Sequence, residues 1–292
     1  MSRLLRHARG HVAAKLIGIC AVALAVTLPS LAHATVVTGT STAYGESISL
    51  TVTPPIIGLG ATVTSGPLPV ASGTAPAPYN TSNSVLSAFV ADVLATGVIN
   101  VNAFSNFDGL PGTRMTGAMS SVNGLTVGTL GGLLNLASTT LTSAAQVTGE
   151  FGALVASGSS LIQGLTINGV PLLVAMPTAN DVLFSGLGIT ITANEQIVTG
   201  DGVNTAGIIV NALDISFANA IGVLNGVAGF INGNIIIGQS SASQTAIAAG
   251  GGGGGGGGPV GVPEPSSLII LGMGLVSFAM MRKSPMFGNR MA

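Results

Sequence analysis

The stretch Ile-Ile-Val-Asn-Ala-Leu-Asp-Ile, residues 208–215, decides the class of fold. Isoleucine and valine favour strands because their branched side chains pack well on a pleated surface. The first three residues, Ile208, Ile209 and Val210, are apolar on both faces of the predicted strand. A strand of this kind suits the interior of a β-sandwich.

Further short runs of alternating apolar and polar residues stand before and after this stretch in the sequence, separated by Gly, Pro, Asn, Ser and Thr. Runs bounded by such turn-forming residues predict strands. The clearest cover residues 47–53, 98–104, 187–192 and 234–238. We therefore expect a mainly β, antiparallel, sandwich-like domain. Residues 84–96 and 218–229 also fit a helical apolar stripe, so one or two short helices remain open there.

A weak internal repeat indicates two related units within the domain. Gly-Leu-Thr-Val at 124–127 and Gly-Leu-Thr-Ile at 164–167 each follow a Ser-Ser pair, at 120–121 and 159–160. Two copies are too few for a repeat array, so we expect two related strand-turn units.

The central part of the chain, residues 35–249, is poor in charge and in reactive side chains. Only 6% of the 292 residues are charged, against roughly 25% in an ordinary soluble protein. All three His, the single Cys and Lys15 lie in the first 34 residues. One basic residue, Arg114, stands against eight acidic residues, which gives this central body a formal charge of −7.

This inventory excludes most kinds of catalytic site. A Ser or Cys nucleophile normally needs a His or Lys base, and the body contains neither. Zinc, copper and haem sites depend on His or Cys. Nucleic-acid binding needs basic groups to neutralise phosphates. We expect no enzymatic activity, no cofactor and no nucleic-acid partner, although two carboxylates could still hydrolyse a glycoside.

Residues 1–34 have the pattern of a secretory signal peptide. A positively charged start precedes an apolar stretch at 16–28, which Pro29 ends. Small residues at Ala32 and Ala34 stand at the positions that signal peptidase reads, so we expect cleavage before Thr35. The charged start comprises Arg3, Arg6, Arg9 and Lys15.

The C-terminal end carries three consecutive segments. A run of nine glycines at 250–258 lies in a linker that we place at 250–261. An apolar segment at 268–281 follows, closed by Arg282 and Lys283. Its length predicts a marginal transmembrane helix with the basic pair in the cytoplasm and a cytoplasmic tail at 284–292. The segment that precedes the helix reads Val262-Pro263-Glu264-Pro265.

This end resembles a PEP-CTERM sorting signal, in which the same three features stand in the same order. The resemblance covers residues 262–283 and implies recognition by an exosortase in the inner membrane of an exopolysaccharide-making bacterium. Cleavage near Pro263-Glu264-Pro265 and release or transfer to the cell surface would follow. The basic pair is short and a tail follows it, which departs from the usual pattern.

The body resembles the choice-of-anchor P family, in which one exported domain is attached by different C-terminal anchors. The resemblance covers most of residues 40–240, and the order of its motifs along the chain carries it. The family implies no catalytic residue. The motifs are Thr42-Ala43-Tyr44-Gly45, Pro54-Pro55, the two Gly-Leu-Thr strands, Asn194-Glu195-Gln196 and Val210-Asn211-Ala212-Leu213-Asp214-Ile215.

A calcium site is a weaker expectation, with Glu195, Asp201 and Asn204 as the candidate ligands. An Asp-Gly turn explains the same residues equally well. For Arg114 we expect an ion pair, with Asp108 the acid nearest in sequence.

The sequence thus predicts a non-catalytic exported surface or extracellular-matrix protein, sorted by an exosortase and associated with exopolysaccharide or the envelope. Two alternatives stay open. One is a calcium- or glycan-binding module that uses loops around 194–204, and the other is a carboxylate-based glycoside hydrolase.

Overall fold

A computed structural model describes residues 35–55, 59–107, 113–128 and 131–248. Within these ranges the chain forms antiparallel strands and no helix. This confirms the mainly β, antiparallel prediction. The described residues contain no helix long and apolar enough to cross a membrane. The predicted signal peptide, linker, sorting motif, anchor and tail lie outside the described residues.

Six strands form the first sheet, in the order β12-β13-β14-β15-β1-β2. Two of them, at the centre, are about twenty residues long and form one hairpin. The six strands are β1 (Thr35–Thr53), β2 (Ala61–Ala75), β12 (Asp181–Gly186), β13 (Ile189–Gly200), β14 (Thr205–Leu224) and β15 (Val227–Ile247).

Nine strands form the second sheet, which is built around the neighbours β7 and β8. On the far side of β7, β6 pairs with it and β3 pairs with β6, while β9 pairs with β8. The strands are β3 (Tyr79–Val85), β4 (Phe89–Val90), β5 (Leu94–Ala95), β6 (Ile99–Ser105), β7 (Arg114–Val127), β8 (Leu136–Gly149), β9 (Val155–Gln163), β10 (Thr166–Ile167) and β11 (Val170–Pro171).

The two sheets pack face to face, with β1, β14 and β15 of the first against β6, β7, β8 and β9 of the second. Alternate residues of each strand point into the space between them, which gives the apolar core that a sandwich requires. Ile191, Ile215 and Ile235 from the first sheet and Val122 and Leu141 from the second are fully buried there.

The helix left open at 84–96 is not formed. The segment ends β3, forms the two-residue strands β4 and β5, and turns between them at Asp92, whose φ is +58°. A helix would bury its apolar stripe, but Leu86 and Phe89 are 83% and 75% exposed. Thr96 instead closes the loop, since its Oγ1 accepts from the Ala88 N–H at 2.9 Å.

The helix left open at 218–229 is also not formed, because this segment comprises the end of β14, the turn at Asn225-Gly226 and the start of β15. Asn225 and Gly226 have φ of +50° and +75°. Both central residues of a type I′ hairpin turn need positive φ, and Asn-Gly is the pair that adopts it most readily.

The internal repeat corresponds to two equivalent strands on either side of β8. Thr126 and Thr166 both pair with Ala137. The leucines before them, Leu125 and Leu165, are both 1% exposed. Both Gly-Leu-Thr segments thus pair with the same part of β8.

The Ser-Ser pairs that precede the repeats build an inward serine row, which we define as Ser120, Ser143 and Ser160. Ser120 pairs with Ser143 across β7 and β8, and Ser143 pairs with Ser160 across β8 and β9. All three are buried. The Ser143 and Ser240 hydroxyls lie 2.7 Å apart between the two sheets.

A second polar contact also joins the sheets across the interior. Gln244 of β15 donates its amide to the Val147 carbonyl at 2.9 Å and to the Thr116 hydroxyl at 3.2 Å. Buried polar groups need partners, so these bonds fix which residues of the two sheets face each other.

Candidate functional site

Four side chains of neighbouring strands form a continuous row across the six-stranded sheet. The register pairs Glu195 of β13 with Asn211 of β14, Asn211 with Gln239 of β15, and Gln239 with Tyr44 of β1. We call these four residues the amide row. Directly paired side chains of antiparallel strands lie on the same face, where they interact.

Hydrogen bonds run along the whole amide row. The Asn211 amide donates to Glu195 Oε2 at 2.6 Å, and the Gln239 amide donates to Asn211 Oδ1 at 2.8 Å. A further side-chain hydrogen bond joins Gln239 to Tyr44. The Asn211 amide therefore serves as both donor and acceptor. The row runs from a carboxylate at one end to a phenol at the other.

A second carboxylate, Asp214, lies beside the amide row on β14. Its burial and the nearby charge of Glu195 raise the pKa of Asp214 to about 6, while a hydrogen bond with Asn234 opposes the shift. Burial, and the charge of Asp214, raise the pKa of Tyr44 to about 12. Near neutral pH Asp214 is thus ionised at a cost in folding free energy, whereas Tyr44 stays protonated.

A local irregularity in β13 returns Glu195 to this face. Asn194 has a φ of +48°, and both Asn194 and its neighbour Ala193 are buried. The alternation of buried and part-buried residues therefore shifts by one residue here, while the pairing with β14 keeps its register.

The other two residues of the Asn-Glu-Gln motif are tied to the protein. The Asn194 amide donates to the Pro177 carbonyl at 2.9 Å, and the Gln196 amide donates to the Gly158 carbonyl of β9 at 3.0 Å. Glu195 in turn bonds with the neighbouring strand. The motif thus holds strand ends and joins the two sheets.

Asp201 organises the loop between β13 and β14. Its Oδ1 accepts from the backbone N–H groups of Val203, Asn204 and Thr205 at 2.8–2.9 Å, and Oδ2 accepts from the Asn204 amide at 2.9 Å. The bond from Thr205 and those from Asn204 and Val203 lower the pKa of Asp201 well below its ordinary value.

The structure brings Asp201 and Asn204 together but leaves Glu195 apart. Glu195 stands six residues earlier on β13, roughly 20 Å away along an extended strand. Within the described ranges, no three His, Cys, Asp or Glu side chains cluster closely enough to hold a metal ion. Calcium binding by these residues stays a prediction.

Arg114, the only basic residue of the body, begins β7 and is 7% exposed. Asp108, its expected partner, lies outside the described residues. The burial of Arg114 agrees with a structural role for the guanidinium, and the pairing with Asp108 stays a prediction.

A concave site on the nine-stranded sheet was missed by sequence reasoning. It is a hollow of about 410 Å³ on the face formed by β3, β6, β7 and β8. We call it the neutral groove. Its side chains include Ser82, Asn100, Asn102, Met119, Ser121 and Thr142.

The register explains how these residues meet. Ser82 pairs with Asn102 and Asn102 with Met119, while Asn100 pairs with Ser121 and Ser121 with Thr142. The two rows lie on one face because their members are two residues apart along each strand. The alternation Asn100-Val101-Asn102 is the sequence signal of this face, but it does not indicate which strands stand beside it.

A comparison with protein families identifies the C-terminal segment. A PEP-CTERM protein-sorting motif matches residues 261–283. No curated protein and no solved structure matches the chain. The motif implies an exported protein that an exosortase processes, held first in the membrane and carried then to the cell surface.

Proposed function

We propose that this chain is a non-catalytic protein of the cell surface or extracellular matrix, which an exosortase sorts and whose body associates with exopolysaccharide. One observation carries the proposal: a PEP-CTERM motif at 261–283 follows a body that contains no His, Cys or Lys. A protein exported in this way and lacking the usual reactive side chains is best suited to binding and structural roles.

The outer face of the six-stranded sheet supports an association with polyhydroxylated polymers. One register row crosses five strands and carries hydroxyl side chains on four of them, with Gly207 on β14 between two of these. The Thr40 and Ser243 hydroxyls lie 2.7 Å apart in it. Hydroxyl groups both donate and accept hydrogen bonds, as the groups of a glycan do. The hydroxyl residues of the row are Thr199, Ser243, Thr40 and Thr74.

The places of the quoted motifs support the choice-of-anchor P assignment as part of this proposal. Tyr44 comes from the first motif, Glu195 from the fourth, and Asn211 from the fifth. These distant positions meet in the amide row. Residues that build one network would be retained together, although the assignment brings no activity with it.

Fractionation of the producing bacterium, with intact-mass analysis, tests the proposal. We expect the mature protein to lack residues 1–34 and the segment after the Pro263-Glu264-Pro265 motif. We expect it in the exopolysaccharide-rich fraction, and in the membrane fraction when the exosortase is deleted. A full-length, untrimmed protein in the cytosol would overturn the proposal.

A second candidate function is a carboxylate-based glycoside hydrolase, which the Glu195 and Asp214 neighbourhood favours. A carboxylate of raised pKa beside a second carboxylate is the arrangement of an acid–base pair. Both groups are already bonded to amides, Glu195 to Asn211 and Asp214 to Asn234. Release of reducing sugar that Asp214→Asn abolishes would establish the hydrolase, and equal release by both proteins would remove it.

A further inference from the structure

We propose that the neutral groove of the nine-stranded sheet binds a neutral polysaccharide. The inference rests on the proposed exopolysaccharide association and names the site and the ligand class. It follows from the shape, the chemistry and the charge of the groove.

The shape fits an extended chain. A smaller hollow of about 160 Å³ lies on β8 and β9, lined by Ala144 and Ser159 among others. Met119 of the neutral groove pairs with Ala144, and Ala144 pairs with Ser159, so the two hollows share a register row. With strands about 4.8 Å apart, the row from β3 to β9 spans roughly 20 Å. An extended polymer chain could lie along a row of this length.

The polar groups of the neutral groove are only partly used by the protein. Asn102 donates to Asn80 Oδ1 at 2.6 Å and to the Ser82 hydroxyl at 2.9 Å, which fixes its orientation and leaves its Oδ1 without a donor among the described residues. Asn100 and Ser121 make no side-chain hydrogen bond within the described ranges. A ligand with alternating donors and acceptors would satisfy these groups.

Apolar contact surfaces lie among the polar groups. Met119 is 52% exposed in the groove. The Phe104 ring lies against Gly117 in the next row, where a Cβ at Gly117 would come within 2.5 Å of the ring. Sugar rings carry apolar C–H faces as well as hydroxyls, so a mixed surface of this kind suits them.

Charge decides between classes of glycan. The side chains that line the neutral groove include no charged group. Arg114, the only basic residue of the body, is buried. An anionic polymer would therefore meet no exposed cation among the described residues, and would meet a body with a formal charge of −7. A neutral polymer needs no cationic partner and is not repelled by the negative charge of the body.

Affinity electrophoresis of the exported full chain tests the inference. The protein is run in native gels that contain dextran, laminarin, galactomannan or alginate, and in a gel without polymer. We expect at least one neutral polymer to retard the wild-type protein, and alginate to leave its mobility unchanged. Retardation by alginate alone, or by none of the polymers, would overturn the inference.

Two matched variants locate the site. Ser121→Gln places a longer side chain in the neutral groove, and we expect it to weaken retardation at least tenfold. Ser216→Gln makes the same change at a half-buried serine of β14. Ser216 lies nine residues along the strand from Gly207, where the hydroxyl row of the six-stranded sheet crosses β14, and we expect wild-type retardation. Equal behaviour of the two variants would overturn the groove as the site.

A smaller change guards against misfolding of the first variant. Asn100→Ala removes one exposed amide without adding bulk, and loss of one hydrogen bond should weaken binding about two- to tenfold. Unchanged retardation would count against the groove. If the groove variants bind like the wild-type protein and all variants stay in the native matrix fraction, this inference fails but the proposed function does not.

Discussion

The amide row of the six-stranded sheet and the neutral groove of the nine-stranded sheet use polar side chains in opposite ways. In the amide row, Asn211 and Gln239 are bonded to the protein and to a carboxylate. In the neutral groove, Asn100 and Ser121 make no such bonds within the described residues, and no charged side chain lines the hollow.

The difference separates a network that holds strands together from a surface that awaits a ligand. Polar groups that already have hydrogen-bond partners within the protein gain little free energy from an external partner. Polar groups without such partners on a concave surface gain more. The amide row should therefore govern stability and its pH dependence, and the neutral groove should govern binding.

Breaking the amide row should produce the largest effect. Asn211 is 3% exposed and bonds both Glu195 and Gln239. Asn211→Leu removes the hydrogen bond to Glu195 Oε2 and the acceptor of the Gln239 amide. This loss should lower the free energy of unfolding by about 2–3 kcal/mol. Urea unfolding of the exported protein measures the change.

The matching substitution on the other face is Asn102→Leu. Asn102 also donates hydrogen bonds, but it lies in an open groove. Water can replace the lost partners there, so we expect a loss under about 1 kcal/mol. Equal losses for the two variants would erase the proposed distinction between the faces.

An intermediate effect should come from Asp214, whose pKa is raised to about 6 in the folded protein. A carboxyl of raised pKa holds its proton more tightly when folded, so its contribution to stability is present at low pH. That contribution is lost as the pH rises from 3.8 through about 6. Asp214→Asn should therefore raise the thermal midpoint above about pH 6 and change it little near pH 4.

The Asp214→Asn variant should still lose some stability as the pH rises. Burial also raises the pKa of Glu46, which adds a loss of stability of the same sign. Asp214→Asn removes only its own part of the profile. A variant with an unchanged difference between low and neutral pH would contradict the role given to Asp214.

The smallest effect should be that of calcium. Both carboxylate oxygens of Asp201 already accept hydrogen bonds from the loop that they close. We expect equal thermal midpoints with calcium, with magnesium and with a chelator. A calcium-specific rise that Asp201→Ala removes would instead support the calcium-binding module.

Local patterns in the sequence predicted the class of fold but not the lengths of its strands. The run at 208–215 is the centre of β14, which extends over Thr205–Leu224. Ser, Thr and Gly predict the ends of strands. In the structure many of them instead lie within strands, at outward positions or at positions of positive φ such as Gly238 at +65° in β15. Only the pairing of distant strands shows which of these roles a residue has.

The candidate sites depended still more on pairing. Tyr44 and Glu195 are 151 residues apart in sequence and share one row. The neutral groove depends on register between β6, β7 and β8, which single-strand patterns leave open. One further signal is local: Asn225-Gly226 between two apolar runs is typical of a hairpin turn, and it lies inside the helical stripe at 218–229.

The inward serine row bears on how related sequences can diverge. Ser143 meets Ser240 at 2.7 Å, and a Cβ at nearby Gly158 would come within 2.4 Å of Val210 Cγ2. The sheets are therefore separated by small side chains along this line. A lineage that enlarges one of these positions has to shrink its neighbour across the interior, so related chains should show paired exchanges at 143 with 240 and at 158 with 210.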